Sequence, residues 1–303
     1  MLLMLNAVPA SAQPAPGAPA AAVVLGAAAE FYAYRTLEID SHDGLRHYRL
    51  HVFIPRRVAP PTGHPVWFML DGNAAAERID AALLGRLAAG AAPVIVAIGY
   101  ASGLRFDVDS RAYDYTPALP GGGEQNDEPF SDRRTGGANA FLDLIERRIK
   151  PVVAAMVPLD PMRQGLWGHS YGGMFVLHTL LARPGSFRCY AAASPSLWWK
   201  EGYLLQREAE LADRLRGLPL QVLLLRGSAE NAGRTAADDE SRRRLAVRAS
   251  VPEDAARALD ARLAARAIAS QYLELPGANH GQAFAESISP SLHWFERCIA
   301  GAG

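Results

Sequence analysis

Ser170 is the residue best placed for chemistry in this chain, at the apex of Gly168-His169-Ser170-Tyr171-Gly172 with Gly173 following. Leu166-Trp167 before it reads as the end of an apolar strand, and Met174 to Leu181 after it as a helix. Strand, sharp turn and helix make a nucleophile elbow. Such a turn holds its serine in a strained conformation, and flanking glycines let chain and substrate approach closely. Gly-x-Ser-x-Gly alone is a frequent turn sequence. A working hydroxyl also needs a base, a carboxylate to orient that base, and N–H donors for an oxyanion.

Of the eight histidines, His280 is the one in a loop after a late strand pattern, Gln271 to Leu275. It is the candidate base. His169 is expected to point away from its neighbour Ser170, while His178 and His293 fall inside helical patterns. The acid should follow the strand Gln221 to Leu225, where Glu230 is the first carboxylate and Asp238, Asp239 and Glu240 come later. The oxyanion donors should be the main-chain N–H of Tyr171 and one from the Asp71-Gly72-Asn73 loop, at Asn73 or Gly72.

These residues need a scaffold. Thr36 to Ile54 alternates in polarity around Asp43-Gly44 and predicts a β-hairpin, with His47 and His51 solvated on its outer face. Val66 to Leu70, Val94 to Tyr100 and Cys189 to Ala193 are continuous apolar runs. Alternating with helices, at about 79–87, 138–157, 204–216 and 282–299, they predict a mostly parallel sheet covered on both faces. The fold class is α/β, of the α/β-hydrolase type, in one domain over 31–303. Residues 101–136 lack periodicity and are rich in Arg and aromatic residues, which suggests a binding loop. Residues 234–269 predict solvated helices.

Lys+Arg and Asp+Glu balance at 31 each, so no overall field favours nucleic acid or a membrane surface. No segment is long and apolar enough to span a membrane. Cys189 and Cys298 form no metal-binding cluster, so neither metal nor cofactor is expected; they are either one disulfide or two buried thiols. Residues 1–12 resemble the latter part of a secretory signal ending in Ala10-Ser11-Ala12, although a basic start is missing. Export is the expectation, with a cytoplasmic protein as the alternative. Residues 13–30 read as a flexible Ala/Pro-rich leader.

A family resemblance rests on segments in this order: Leu70-Asp71-Gly72-Asn73, Arg111 with Tyr113-Asp114-Tyr115-Thr116-Pro117, the elbow, Ser194-Pro195-Ser196-Leu197-Trp198-Trp199, and Asn279-His280-Gly281. Together they resemble the bacterial esterases of catecholate siderophores, the enterobactin and salmochelin trilactone esterases. The resemblance implies hydrolysis of a seryl-ester backbone, in exported members in the periplasm, by a protein expected to be monomeric. A ferric or iron-free catecholate is an aromatic polyanion, so Arg111, Arg133 and Arg134 are expected to meet its charge. Tyr115, Trp198 and Trp199 are expected as aromatic walls, at least one Trp serving the core instead. A general ester hydrolase and a non-catalytic binding protein are the alternatives.

Overall fold

Strands β1 (Tyr32–Asp40) and β2 (His47–Pro55) form the expected antiparallel hairpin, with Gly44 at φ +69° in the turn. The apolar runs become β3 (His64–Met69), β4 (Val94–Tyr100), β5 (Leu159–His169), β6 (Cys189–Ala193) and β7 (Gln221–Gly227), and β8 (Ala269–Leu275) completes one sheet. The spatial order is β1-β2-β4-β3-β5-β6-β7-β8, parallel from β4 through β8. Strands covered on both faces must be apolar at every position, and the residues of β3, β4 and β6 are all buried. The structure, a computed structural model, describes residues 17–121, 125–127, 131–230 and 238–301, with Glu240 and Ser241 as main chain only.

Helices α1 (Gly72–Ala76), α2 (Ala81–Ala89), α3 (Val108–Tyr115), α4 (Ala138–Leu144) and α5 (Lys150–Met156) precede the elbow. After it come α6 (Tyr171–Ala182), α7 (Tyr203–Leu211), α8 (Asp239–Arg248), α9 (Ala255–Ala265) and α10 (His280–Ala300). The sheet separates two apolar clusters, one around Phe68, Phe141 and Phe175 and the other around Trp67, Trp167 and Phe295. Cys189, at the start of β6, is bonded to Cys298 near the end of α10, with both residues fully buried. Among the described residues no helix is long and apolar enough to cross a membrane.

Several expectations change. The helix read over 138–157 is α4 and α5 joined by a π-helical turn at Ile145–Ile149. Pro151 lies at the start of α5, where it cannot donate the usual main-chain bond. The 101–136 segment is not all loop, since Asp107 caps α3 by accepting from Ser110 N at 2.9 Å. Residues 1–16, with the signal-like stretch, lie outside the described residues. The rest of the presumed flexible leader is docked instead. Ala20 N donates to Gly103 O, Arg105 N donates to Ala18 O, and Ala21 N donates to Glu77. His51 is not solvated but buried under Tyr34 and α1; His47 is exposed and pairs with Asp40.

Candidate active site

Ser170 stands between β5 and α6 at φ 59° and ψ −115°, a conformation that non-glycine residues rarely adopt. Its main chain is pinned on both sides: its N–H donates to Ala193 O at 2.9 Å, and its carbonyl accepts from Met174 and Ser196 N–H groups. The glycines differ in how strictly they are needed. A Cβ on Gly168 would fall 2.5 Å from the Gly172 carbonyl, and one on Gly173 would fall 2.9 Å from Ala193 O. At Gly172 the nearest atom would be a tolerable 3.5 Å away. Close approach of β5, α6 and β6 therefore sets the requirement at Gly168 and Gly173.

His280 Nε2 lies 3.0 Å from Ser170 Oγ, and His280 Nδ1 lies 3.1 Å from Glu230 Oε2. An ionised carboxylate only accepts, so Nδ1 carries the proton and Nε2 is left to accept from the serine hydroxyl. The histidine is the first residue of α10. Asn279 before it forms a capping box with Gln282, two reciprocal 2.9 Å bonds that fix where the helix starts. Glu230 follows β7, and its Oε1 accepts from Ser194 Oγ and from Gly227 N–H. Burial alone would raise its pKa, but hydrogen bonds from His280, Ser194 and Gly227 outweigh that and hold it at about 2. Of the other carboxylates considered, Asp239 pairs with Arg242 on the exposed α8.

His169 has a role that its sequence position did not reveal. Its ring packs 4.8 Å from that of His280 and its Nε2–H donates to the His280 carbonyl at 2.9 Å. Ser196 is a second hydroxyl at the elbow, with its Oγ 3.2 Å from Ser170 Oγ.

On the opposite side of the elbow, Asp71 occupies a left-handed conformation at φ 50°. Its Oδ2 would be 3.7 Å from a Cβ on Gly172, so the Asp71-Gly72 segment faces the start of α6. Gly72 must be glycine because a Cβ would lie 2.4 Å from the β4 main chain. The Asn73 side chain is turned the other way, bonding His51, Tyr100 O and Leu104 O, and so locks the loop. The main-chain N–H groups of Tyr171, Gly72 and Asn73 remain the oxyanion candidates.

The residues expected to meet a substrate divide. Arg111 directs Nε and Nη2 at the two Asp71 oxygens, 2.8 and 2.9 Å away, and lies against the rings of Phe106, Tyr115 and Tyr171. Its first partner is thus the Asp71 loop. Tyr115 is fully buried, its hydroxyl accepting from Asp71 N at 3.0 Å, and is no pocket wall. Trp199 is also core, and donates Nε1–H to Asp127. Arg133 pairs with exposed Asp109, and Arg134 lies over the Tyr113 ring. Trp198 alone among the expected aromatics lines a cavity, one of about 400 Å³ that His280 and Glu230 also border. Asp127 escaped the sequence reading. It accepts from Tyr171 Oη at 2.8 and 2.9 Å and so ties the 101–136 segment to the elbow. Nothing in its local sequence marks it.

The sheet order and a serine–histidine–carboxylate line across the carboxyl ends of β5, β7 and β8 define an α/β-hydrolase. Residues 41–295 match the family described as Putative esterase, and the chain belongs to that family. It is 43% identical over 199 residues to the apo-salmochelin esterase of Escherichia coli O6:H1, a match covering 66% of this chain and 62% of that protein. It is 29% identical to the ferri-bacillibactin esterase BesA of Bacillus subtilis, over 84% and 87% of the two chains. Among solved structures, the enterobactin hydrolase IroE in complex with DFP aligns with TM-score 0.68 at 35% identity, over 88% of this chain and 96% of that one.

Proposed function

We propose that this protein hydrolyses the ester bonds of a catecholate siderophore trilactone, with Ser170 as nucleophile, His280 as base and Glu230 as the carboxylate behind it. The observation that carries the reading is the unbroken line Ser170 Oγ to His280 Nε2 at 3.0 Å and His280 Nδ1 to Glu230 Oε2 at 3.1 Å. Relatives named as salmochelin, bacillibactin and enterobactin esterases supply the substrate class, and a DFP complex of one of them fits an activated serine.

Ser170 Oγ attacks the ester carbonyl while its proton passes to His280 Nε2. Negative charge on the former carbonyl oxygen is held by the N–H of Tyr171 and one from the Gly72-Asn73 turn. Collapse breaks the bond to the seryl oxygen, which leaves with the proton from His280. Water then enters, gives a proton to His280 and attacks the acyl-enzyme carbonyl. The second collapse returns that proton to Ser170 and releases the acid. Glu230 keeps His280 in the Nδ1–H form and stabilises its transient positive charge.

The reading includes export to the periplasm, supported by the bonded Cys189–Cys298 pair, since disulfides persist in oxidising compartments, and a monomeric protein. Mass spectrometry of a trilactone incubated with the wild type and with Ser170→Ala tests the chemistry. Linear products are expected from the wild type alone. Equal turnover by Ser170→Ala would sink the assignment.

A further inference from the structure

The Ser194-Pro195-Ser196 turn after β6 brings two hydroxyls to the line of catalytic side chains, one at each end. Ser194, held at φ 44° and tied by its N–H to Leu225 O at 2.7 Å, donates its hydroxyl to Glu230. Ser196 Oγ lies 3.2 Å from Ser170 Oγ, and the residue is only 1% exposed. Its main chain is fixed as well. Its N–H donates to Ser170 O and its carbonyl accepts from Trp199 N–H, each at 3.1 Å. A rigid, buried hydroxyl thus faces the candidate nucleophile, and acyl transfer by Ser170, His280 and Glu230 alone makes no use of it.

The count of protons fixes the direction of this contact. His280 Nδ1 holds its proton toward Glu230, so Nε2 takes the one hydroxyl proton that Ser170 can offer. Between the two serines the donor is therefore Ser196, and Ser170 Oγ accepts. We propose that Ser196 is a further catalytic residue, whose O–H supports Ser170 Oγ as that oxygen departs from the acyl group. The inference rests on reading Ser170 as nucleophile and His280 as base. In the acyl-enzyme Oγ is an ester oxygen, which shares its electrons with the carbonyl and accepts weakly. When the second tetrahedral intermediate collapses, the C–Oγ bond breaks and its electron pair returns to Oγ. His280 Nε2 supplies the proton, Ser196 keeps its own, and the Ser196 bond strengthens where the charge appears. The same donation favours the free serine over the acylated one, so Ser196 speeds release relative to loading.

At saturating p-nitrophenyl butyrate, the ratio of acylated to unacylated enzyme reads the acylation rate constant over the deacylation one. Acid-quenched intact-mass spectra give this ratio. It is counted over the protein that a fluorophosphonate can label, so misfolded enzyme does not enter. Ser196→Ala is expected to raise the ratio about tenfold, the scale of one hydrogen bond. Ser196→Thr keeps a hydroxyl and should stay near the wild-type ratio. A ratio that does not rise in Ser196→Ala, or that rises equally in both variants, overturns the role of Ser196. Those outcomes leave the triad untouched, whereas an acyl adduct mapped to a residue other than Ser170 would remove the reading beneath it.

Discussion

His169 donates its Nε2–H to the main-chain oxygen of His280 at 2.9 Å, so the residue before the elbow serine braces the residue that faces that serine. Burial, then the neighbouring His280 and Arg111, hold the His169 imidazole well below its ordinary pKa. His169→Leu should lower kcat roughly tenfold, the worth of one hydrogen bond of about 1–1.5 kcal/mol, with KM nearly constant. His169→Asn, which keeps a donor, should recover part of it. The fold favours neutral His169, so the stability it contributes is present above the ordinary value of 6.5 and is lost as pH falls below it. Thermal melts of His169→Leu should therefore decline less steeply below that pH.

Glu230 is held at about 2 by the bonds it accepts, so it stays ionised wherever the enzyme is folded and active. Glu230→Gln keeps the shape but presents a donor to His280 Nδ1 and favours the wrong tautomer. We expect kcat to fall by two to four orders of magnitude, as for other triads that lose this charge. The depressed value also contributes stability that is present above 4.5 and lost as pH falls toward 2. Acid titration of Glu230→Gln should lack that component, read by circular dichroism.

The Arg111–Asp71 pair separates two roles that activity on one substrate would confuse. If the guanidinium acts by holding the Asp71-Gly72 segment, Arg111→Lys should slow an uncharged nitrophenyl ester and a catecholate alike, each by about tenfold or more, because a lysine cannot reproduce the bidentate contact. A loss confined to the catecholate would move Arg111 back to direct substrate contact. Steady-state kinetics on the two esters decides it.

Asp114 stands on α3 with Arg111, accepting from the hydroxyls of Tyr48 at 2.8 Å and Tyr100 at 3.1 Å, with Arg46 Nε 3.2 Å away. Burial outweighs these partners and pushes its pKa up from 3.8 to about 7. The fold thus favours the protonated acid, and stability present at low pH is lost as pH rises through about 7. Asp114→Asn should flatten that loss in melts taken across the neutral range.

The elbow, the late histidine and the acid were legible because each follows an apolar strand at a place the parallel sheet makes functional. The burial of Tyr115 and the partners of Arg111 and Trp199 were not legible, for a common reason. Their partners, Asp71 and Asp127, are distant in sequence, and no local pattern tells whether an arginine or an aromatic faces solvent or a buried carboxylate. His51 reads as the outward face of a hairpin until α1 is laid over it. Residues 17–30 lack periodicity, yet bond to 103–105 through main-chain groups that carry no side-chain signature.

The Cys189–Cys298 bond closes a ring of chain that contains Ser194, Glu230 and His280 but leaves Ser170 outside. A protease that clips the exposed α8 would cut within this ring, and the two pieces would stay covalently joined. Such a nick would be invisible on a non-reducing gel and would resolve into two fragments only after reduction. The carboxylate and the histidine would then lie on different fragments, held in one molecule by a bond at the opposite end of the strands.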